Sequence, residues 1–195
     1  MYHIIKRALD FLLSLIALLV LWPVLAVIAV IIKITSPGPV FFRQKRVGLK
    51  RGQFMIYKFR TMRTDAPKDA PTHLLQNPEM FITPVGRFLR ASSLDELPQL
   101  INILKGEMSI VGPRPALWNQ YDLIDAREAV GANNVLPGLT GWAQINGRDE
   151  LPIDVKAGFD GEYVRRMSFL FDLRCIVGTV LAVVRRDGVR EGAKK

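Results

Sequence analysis

An unbroken apolar run near the N-terminus constrains this chain more than any other feature. Every residue between Phe11 and Ile32 is apolar except Ser14, which gives a run of 22 residues. As an α-helix the run would be roughly 33 Å long, close to the thickness of the hydrocarbon core of a bilayer. It is too long for a signal peptide, and no small-residue cleavage site follows it. The sequence therefore predicts a membrane-embedded helix within residues 1–34.

Basic residues flank the run on both sides. Lys6 and Arg7 precede it, and Lys33 follows it with more arginines and lysines beyond. A single span would carry one basic flank across the membrane, whereas such flanks normally stay in the cytoplasm. Pro23 interrupts helix hydrogen bonding near the middle of the run. An ordinary span that tolerates the proline and a re-entrant helix that bends there both remain open, and we predict the re-entrant form.

The remainder of the chain predicts a small cytoplasmic α+β domain, mostly helical, over residues 35–186, followed by a polar tail at 187–195. Two β-rich runs, Val40–Gln44 and Phe54–Arg60, are separated by a glycine-containing turn and predict a β-hairpin. Apolar residues recur at helical spacing near the C-terminus, which predicts an amphipathic helix in the core or on the membrane surface. Other expected segments are a loop at 64–84, a helix at 85–105 broken near 91–93, a helix at 116–130 and a structured loop at 135–148.

The charge balance indicates a polyanionic partner. The formal net charge is +9, from 27 basic and 18 acidic residues, which suits nucleic acid, an anionic membrane or a phosphorylated substrate. We expect no nucleic-acid partner, because no recognisable binding motif accompanies the charge. The single cysteine, Cys175, excludes an intrachain disulfide. His3 and His73 lack the neighbours that a zinc site needs.

Two adjacent acids, Asp95 and Glu96, form the most informative candidate site. They follow Ser93 and precede Pro98, so they also fit a capping box in which both acids only stabilise a helix start. Alternatively, one carboxylate attacks or binds metal while its neighbour handles a proton. Arg90 lies upstream, and a cation beside paired acids suits a phosphate-bearing substrate.

Two further segments carry polar groups in restricted backbone. Arg114 stands between Pro113 and Pro115, which limits the backbone around a guanidinium that could hold a phosphate. The glycine-rich segment 137–148 offers Gln144 and Arg148 as polar side chains. Each segment also has a plain structural interpretation, as a rigid turn or a surface loop.

Taken in order, these motifs resemble those of a known family. The chain is similar to the small monotopic phosphoglycosyl transferases of the bacterial sugar transferase family, which start glycan assembly on undecaprenyl phosphate. The similarity covers nearly the whole chain from about residue 4 to residue 186. The matching segments are the basic start with Asp10, Tyr57–Met62, Ser93–Leu100, Leu104–Ser109, Pro113–Pro115 and Pro137–Arg148. In the family the residue before the helix-breaking proline is often serine, whereas Trp22 occupies that position here.

The resemblance implies an enzyme at the cytoplasmic face of the bacterial inner membrane. It would transfer a sugar 1-phosphate from a UDP-sugar to undecaprenyl phosphate, release UMP and require Mg²⁺. Asp95 matches the family's nucleophile, which forms a phosphoglycosyl-aspartate, and we expect it also to ligate the metal. Glu96 matches its catalytic partner. The expected substrate-binding residues are Lys58, Arg90, Pro113, Arg114, Pro115, Gln144 and Arg148.

A membrane-anchored basic adaptor that binds anionic lipid or nucleic acid is the alternative function. Such a protein would need neither the paired acids nor the Pro113–Pro115 turn, so it leaves the informative residues unexplained. The sequence does not identify the sugar that is transferred.

Overall fold

The computed structural model describes residues 2–67, 77–147 and 151–185. Arg148 and the predicted tail at 187–195 lie outside these ranges. The helices are α1 (Tyr2–Thr35), α2 (Pro84–Ala91), α3 (Gln99–Lys105), α4 (Tyr121–Ala129), α5 (Trp142–Ile145), α6 (Ile153–Arg166) and α7 (Phe169–Arg185). The strands are β1 (Phe41–Val47), β2 (Gln53–Phe59), β3 (Ser109–Val111) and β4 (Gly138–Thr140). This confirms a mostly helical α+β architecture with a long apolar N-terminal helix.

Helix α1 continues through Pro23 and exposes most of its apolar side chains. Leu19 and Trp22, near its middle, are 66% and 63% exposed. The helix is long and apolar enough to cross a membrane. Because such a surface is unfavourable in water, α1 indicates membrane association. Its buried residues are Lys6, Asp10, Ser14, Ile28 and Ile32.

The N-terminal part of α1 is attached to the domain by buried polar contacts. Lys6 Nζ lies 2.6 Å from Asp172 Oδ2 at the start of α7, and both side chains are nearly buried. Asp10 accepts hydrogen bonds from the Ser109 hydroxyl at 2.7 Å and from the Ile110 amide at 3.1 Å. These contacts join α1 to α7 and β3.

Further contacts along α1 also join it to the domain. Arg7 donates to the carbonyls of Ile103 and Leu104, at 2.6 and 3.1 Å, and so adds hydrogen bonds at the last turn of α3. Two apolar clusters then contact the helix: Ala17 and Leu18 pack against Ile56, Leu100, Ile103 and Met108, and Ile28 and Ile32 cluster with Phe59 and Leu89. Both ends of α1 therefore contact one domain.

The predicted hairpin is confirmed, with β1 extending three residues beyond its predicted end. Strands β1 and β2 are antiparallel, with Phe41 opposite Phe59 and Val47 opposite Gln53. Side chains alternate between the two faces of a strand. The register therefore puts Gln44, Arg46, Ile56 and Lys58 on the inner face and Phe41, Arg43, Lys45, Met55 and Tyr57 on the other.

The loop interpretation of residues 135–148 was wrong in part. Strand β4 within it pairs in parallel with β3, Ser109 opposite Gly138 and Val111 opposite Thr140. A Cβ added to Gly138 would lie 2.1 Å from the Gly112 amide nitrogen, so the two strands approach closely only because glycine stands there. Strands this short have no periodic sequence pattern, and the pairing depends on a distant partner.

The helix predicted at 116–130 begins later, at Tyr121. The Ala116 carbonyl accepts from the Val47 amide at 2.9 Å, and Leu117 forms a bridge with Arg46. These residues therefore extend the hairpin instead of starting a helix. Residues 153–166, which the sequence pattern did not assign, form α6.

We predict that Asp172→Asn destabilises the protein, because it leaves the Lys6 ammonium buried without its close carboxylate partner. Removing one partner of a buried pair should lower the free energy of unfolding by about 3 kcal/mol. Asp125→Asn is the matched control, since the Asp125–Arg51 pair is exposed and should contribute less than about 1 kcal/mol. Denaturant titration in detergent micelles measures both. Equal stability of the two variants would contradict a structural role for the buried pair.

Candidate active site

Asp95 and Glu96 lie in a short 3-10 turn, Leu94–Glu96, between α2 and α3. Ser93 before it has a positive φ of 56°, and its side chain makes no capping hydrogen bond. The capping-box interpretation of this motif is therefore wrong. Both acids are nearly buried, with 9% and 8% exposure, so each needs a partner or a function that justifies its desolvation.

Glu96 is held between two cations. Its Oε1 lies 2.7 Å from Lys58 Nζ and 2.7 Å from Arg114 Nη2. Arg114 Nη1 donates to the other oxygen, Oε2, at 3.3 Å. Burial lowers the pKa of Lys58 below its ordinary value, while the charge of Glu96 raises it. The carboxylate of Glu96 thus joins β2 to the loop after β3 and has a fixed orientation.

The loop that carries Arg114 is held in place by two arginines that donate to its carbonyl groups. Arg127 Nη1 donates to the Arg114 carbonyl at 2.8 Å, and Arg46 Nη1 donates to the Pro115 carbonyl at 3.0 Å. Arg127 in turn forms a buried ion pair with Asp160, at 2.7 Å, which links α4 to α6. A turn restricted by proline at both ends and bound through two carbonyls keeps the Arg114 guanidinium in place.

Asp95 faces a cavity of about 520 Å³ between the hairpin and α2. Burial raises the pKa of Asp95 to about 6, and the adjacent charge of Glu96 adds to the increase. Lys58, Arg90 and Arg114 act in the opposite direction and keep the pKa from rising further. The group is therefore largely ionised at pH 7 but close to titration.

Basic side chains outnumber acidic ones in the wall of this cavity. Asp95 is the one acidic residue among its described lining residues, and the cationic ones are Arg43, Arg46, Lys58, Arg60, Arg63 and Arg90. Some of these charges already have partners: Arg90 Nε donates to the Thr61 hydroxyl at 2.9 Å, and Arg63 pairs with Asp65. A cavity with this charge suits a ligand that carries several phosphate charges.

The predicted residues are brought together only in part. Lys58, Arg90 and Asp95 line the cavity, while Glu96 and Arg114 form the ion cluster beside it. Gln144 does not line the cavity; it donates to the Leu139 carbonyl in its own segment, at 2.9 Å. Arg148 lies outside the described residues. A direct role in binding for Pro113 and Pro115, which flank Arg114, stays a prediction.

Sequence reasoning missed several residues of the site. Arg46 shares the inner face of the hairpin with Lys58. Because side chains alternate between the two faces of a strand, the predicted hairpin, continued along β1, was enough to place Arg46 on that face. Arg127 and Asp160 had no such signal, because they lie 33 residues apart on two different helices. The sequence places Arg43 in the basic flank of the apolar run and Arg60 in the Tyr57–Met62 motif, and Arg63 belongs to neither.

The carboxylates at the site are compatible with a metal ion whose ligands come mainly from a bound substrate. Among the described residues, no cluster of three or more His, Cys, Asp or Glu side chains could form a complete metal site. Both oxygens of Glu96 contact cations, so Asp95 is the carboxylate that could ligate Mg²⁺. Mg²⁺ commonly takes one or two protein carboxylates and completes its shell with substrate phosphates and water. The site fits this arrangement.

Comparison with known proteins gives a consistent set of similarities. The family model described as "Bacterial sugar transferase" matches residues 1–186. The UDP-glucose:undecaprenyl-phosphate glucose-1-phosphate transferase of Xanthomonas campestris pv. campestris is 44% identical over 191 residues, which are 94% of this chain and 40% of that protein. The corresponding enzyme of Escherichia coli K12 is 45% identical, over 91% of this chain and 40% of its own length. This chain thus spans about two fifths of these two relatives.

Two other relatives extend the comparison. The uncharacterized sugar transferase EpsL of Bacillus subtilis 168 is 39% identical, over 96% of this chain and 91% of that protein. A UDP-N-acetylgalactosamine-undecaprenyl-phosphate N-acetylgalactosaminephosphotransferase of Aeromonas hydrophila is 36% identical, over 97% of this chain and 46% of its own length. The similarity therefore covers the membrane helix and the site together.

We predict that the pKa of Asp95 responds oppositely to two substitutions. Glu96→Gln should lower it from about 6, because the neighbouring negative charge that raises it is gone. Arg114→Ala should raise it, because a cation that favours the ionised form is removed. Titration of the Asp95 carboxyl by ¹³C NMR measures both shifts, with Asp125→Asn as the unshifted control. Shifts of the same sign in the two variants would contradict this electrostatic arrangement.

Proposed function

Since the chain belongs to the bacterial sugar transferase family, we propose that it transfers a sugar 1-phosphate from a UDP-sugar to undecaprenyl phosphate, releasing UMP. The observation that carries this proposal is the nearly buried Asp95 carboxylate in a cation-lined cavity, beside a Glu96 that Lys58 and Arg114 hold in place. A basic adaptor would have no use for a carboxylate with a raised pKa at the wall of such a cavity.

The relatives' names support the two substrates but differ in the sugar. Two of them are named for UDP-glucose and one for UDP-N-acetylgalactosamine, and all three names contain undecaprenyl phosphate. The shared features are a uridine diphosphate donor and a polyprenyl phosphate acceptor. Our proposal therefore covers these two shared chemical classes and assigns no sugar.

In the proposed mechanism Asp95 is a covalent nucleophile. One carboxylate oxygen attacks the sugar-bearing phosphorus of the donor, the bond from that phosphorus to the bridging oxygen breaks, and UMP leaves with the electron pair. The charges balance without a proton transfer when UMP leaves as a dianion. This makes the second carboxylate unnecessary as a proton carrier, in agreement with a Glu96 whose oxygens contact Lys58 and Arg114. The role proposed for Glu96 is to orient those two cations.

The environment of Asp95 suits attack on phosphorus. An ionised carboxylate is a weak nucleophile, and burial with only partial charge compensation keeps it poorly solvated and more reactive. Lys58 and Arg90 in the cavity wall, with Arg114 beside it, would stabilise the negative charge that increases on the transferring group, which lowers the barrier. Mg²⁺, ligated by Asp95, would neutralise donor phosphate charge when bound. Below pH 6 the ionised fraction of Asp95 falls about tenfold per pH unit, and donor turnover should fall with it.

The membrane arrangement is also part of the proposal. Helix α1 contacts the domain through Lys6 and Asp10 at one end and through Ile28 and Ile32 at the other. A helix of 34 residues is about 51 Å long at 1.5 Å per residue, longer than a bilayer core of about 30 Å. A full crossing would draw the attached domain, with its charged cavity, into hydrocarbon at high cost. This supports a helix that enters and leaves on the cytoplasmic face of the inner membrane.

We predict that Asp95 acquires the sugar phosphate when donor is supplied without lipid. Incubation of the full chain with UDP-sugar and Mg²⁺ should add one sugar-phosphate mass to the peptide that contains Asp95, with equimolar UMP release. Asp95→Asn should show no adduct and lose turnover by on the order of a thousandfold, because the nucleophile is absent. Asp122→Asn, on the exposed start of α4, is the control and should label normally. Substantial turnover by Asp95→Asn would refute the covalent mechanism.

We predict that both ends of α1 are on the cytoplasmic side. In a Cys175→Ser background, single cysteines in place of His3 and Gln53, both exposed, should resist a membrane-impermeant maleimide in intact cells. Both should react after the inner membrane is permeabilised, since neither position crosses it. Labelling of the His3→Cys variant alone in intact cells would instead establish a full span.

A further inference from the structure

We propose that one edge of the cavity, formed by Val40, Phe41 and Arg43 and called here the acceptor rim, binds the polyprenyl phosphate. The prenyl chain would lie on Val40 and Phe41, and its phosphate would meet Arg43. All three residues line the cavity that also contains Asp95. This inference rests on the proposed function, because it assigns a place to the second substrate of that reaction.

The apolar part of the acceptor rim is continuous with the membrane helix. Val40 packs against the cluster that contains Ile28 and Ile32 of α1 together with Phe59. Phe41 stacks on Phe59, with ring centroids 5.5 Å apart and planes at 17°, and remains 41% exposed. A ligand that slides from the bilayer along α1 therefore meets apolar surface up to the cavity.

The segment that leads into the acceptor rim is fixed. The Arg60 guanidinium donates to the carbonyl groups of Ser36, at 2.6 Å, and of Pro37. Gly38 has a φ of +121°, and a Cβ at that position would lie 2.3 Å from Arg60 Nη1. Only glycine fits beside this clamp. A preformed surface costs a long flexible chain less ordering free energy on binding than a mobile one.

Arg43 supplies the charge that an apolar surface alone would lack. It is exposed on β1, and its guanidinium carbon lies over the Tyr57 ring, 5.2 Å from the centroid. A guanidinium that lies over a ring still presents its N–H edge to a phosphate. Lys105 Nζ lies 5.0 Å from the same ring centroid and adds positive potential. The rim therefore combines an apolar surface and a cation, as a prenyl phosphate requires.

This placement fits the second half of the reaction. A phosphate oxygen of the lipid attacks the phosphorus attached to Asp95, and the bond from that phosphorus to the carboxylate oxygen breaks. The products are a lipid diphosphate sugar and an ionised Asp95, with no proton transferred when the lipid phosphate is a dianion. Lys58 and Arg90, which contact Glu96 and Thr61, would face the group attached to Asp95, and Arg43, two residues from Phe41 on the same face of β1, would meet the entering phosphate.

The two halves of the reaction can be measured separately in the full chain, reconstituted in lipid nanodiscs. Donor alone gives the rate of Asp95 labelling, and addition of undecaprenyl phosphate to labelled protein gives the rate of discharge. Phe41→Ser should label within twofold of the unsubstituted protein, and in both Phe41→Ser and Arg43→Ala the kcat/KM for lipid in the discharge step should be at least tenfold lower. Lys45→Ala is the matched control: it removes a cation two residues along the same face of β1 that does not line the cavity.

Each result has a defined meaning. Slower labelling in Arg43→Ala, in proportion to its turnover, would assign the rim to the donor and overturn the proposal. Normal discharge in both variants, or an equal loss in Lys45→Ala, would also overturn it. Failure of the proposed function is distinct, because the unsubstituted protein would then neither label nor turn over. If it turns over without labelling, only the covalent mechanism is wrong, and steady-state KM values test the rim: a rise for lipid but not for UDP-sugar supports it, and an unchanged lipid KM refutes it.

Discussion

The contact of Glu96 with Lys58 and Arg114 is the interaction on which the rest of the site depends. It joins β2, the turn after α2 and the loop after β3 through a single nearly buried carboxylate. An ion cluster of this kind costs desolvation, and removal of Glu96 would leave Lys58 and Arg114 without the carboxylate that lies between them. Because Glu96 is fixed in this way, its neighbour Asp95 is held at the wall of the cavity.

As a result, the pKa of Asp95 is set by opposing effects. Burial and the charge of Glu96 raise its pKa, while three nearby cations lower it, and the balance lies at about 6. Either extreme would be less useful. A fully compensated carboxylate would be a poor nucleophile, and an uncompensated one would stay protonated at neutral pH. Phosphate groups entering the cavity would meet a wall that already carries excess positive charge.

Helix α1 connects this electrostatic site to the membrane. Its polar contacts, Lys6 with Asp172 and Asp10 with Ser109, fasten one end to the domain. Its other end shares an apolar cluster with Phe59, against which Leu94, the residue before Asp95, also packs. The position of Asp95 is thus tied by packing to the helix whose apolar surface indicates membrane association. Under the proposed function, a water-soluble donor and a lipid acceptor would meet at this carboxylate.

The sequence by itself determined the features that local patterns encode. The apolar run predicted α1, two β-rich runs on either side of a glycine-containing turn predicted the hairpin, and the adjacent acids Asp95 and Glu96 indicated the candidate site. Only the tertiary structure decided which acid faces the cavity, that Gln144 turns away from it, and that β3 pairs with β4. The tertiary structure also decided that Arg127, paired with Asp160, holds the loop that carries Arg114. The physical reason is that periodicity and turn chemistry act between near neighbours, whereas the orientation of a buried charge depends on partners contributed by distant segments.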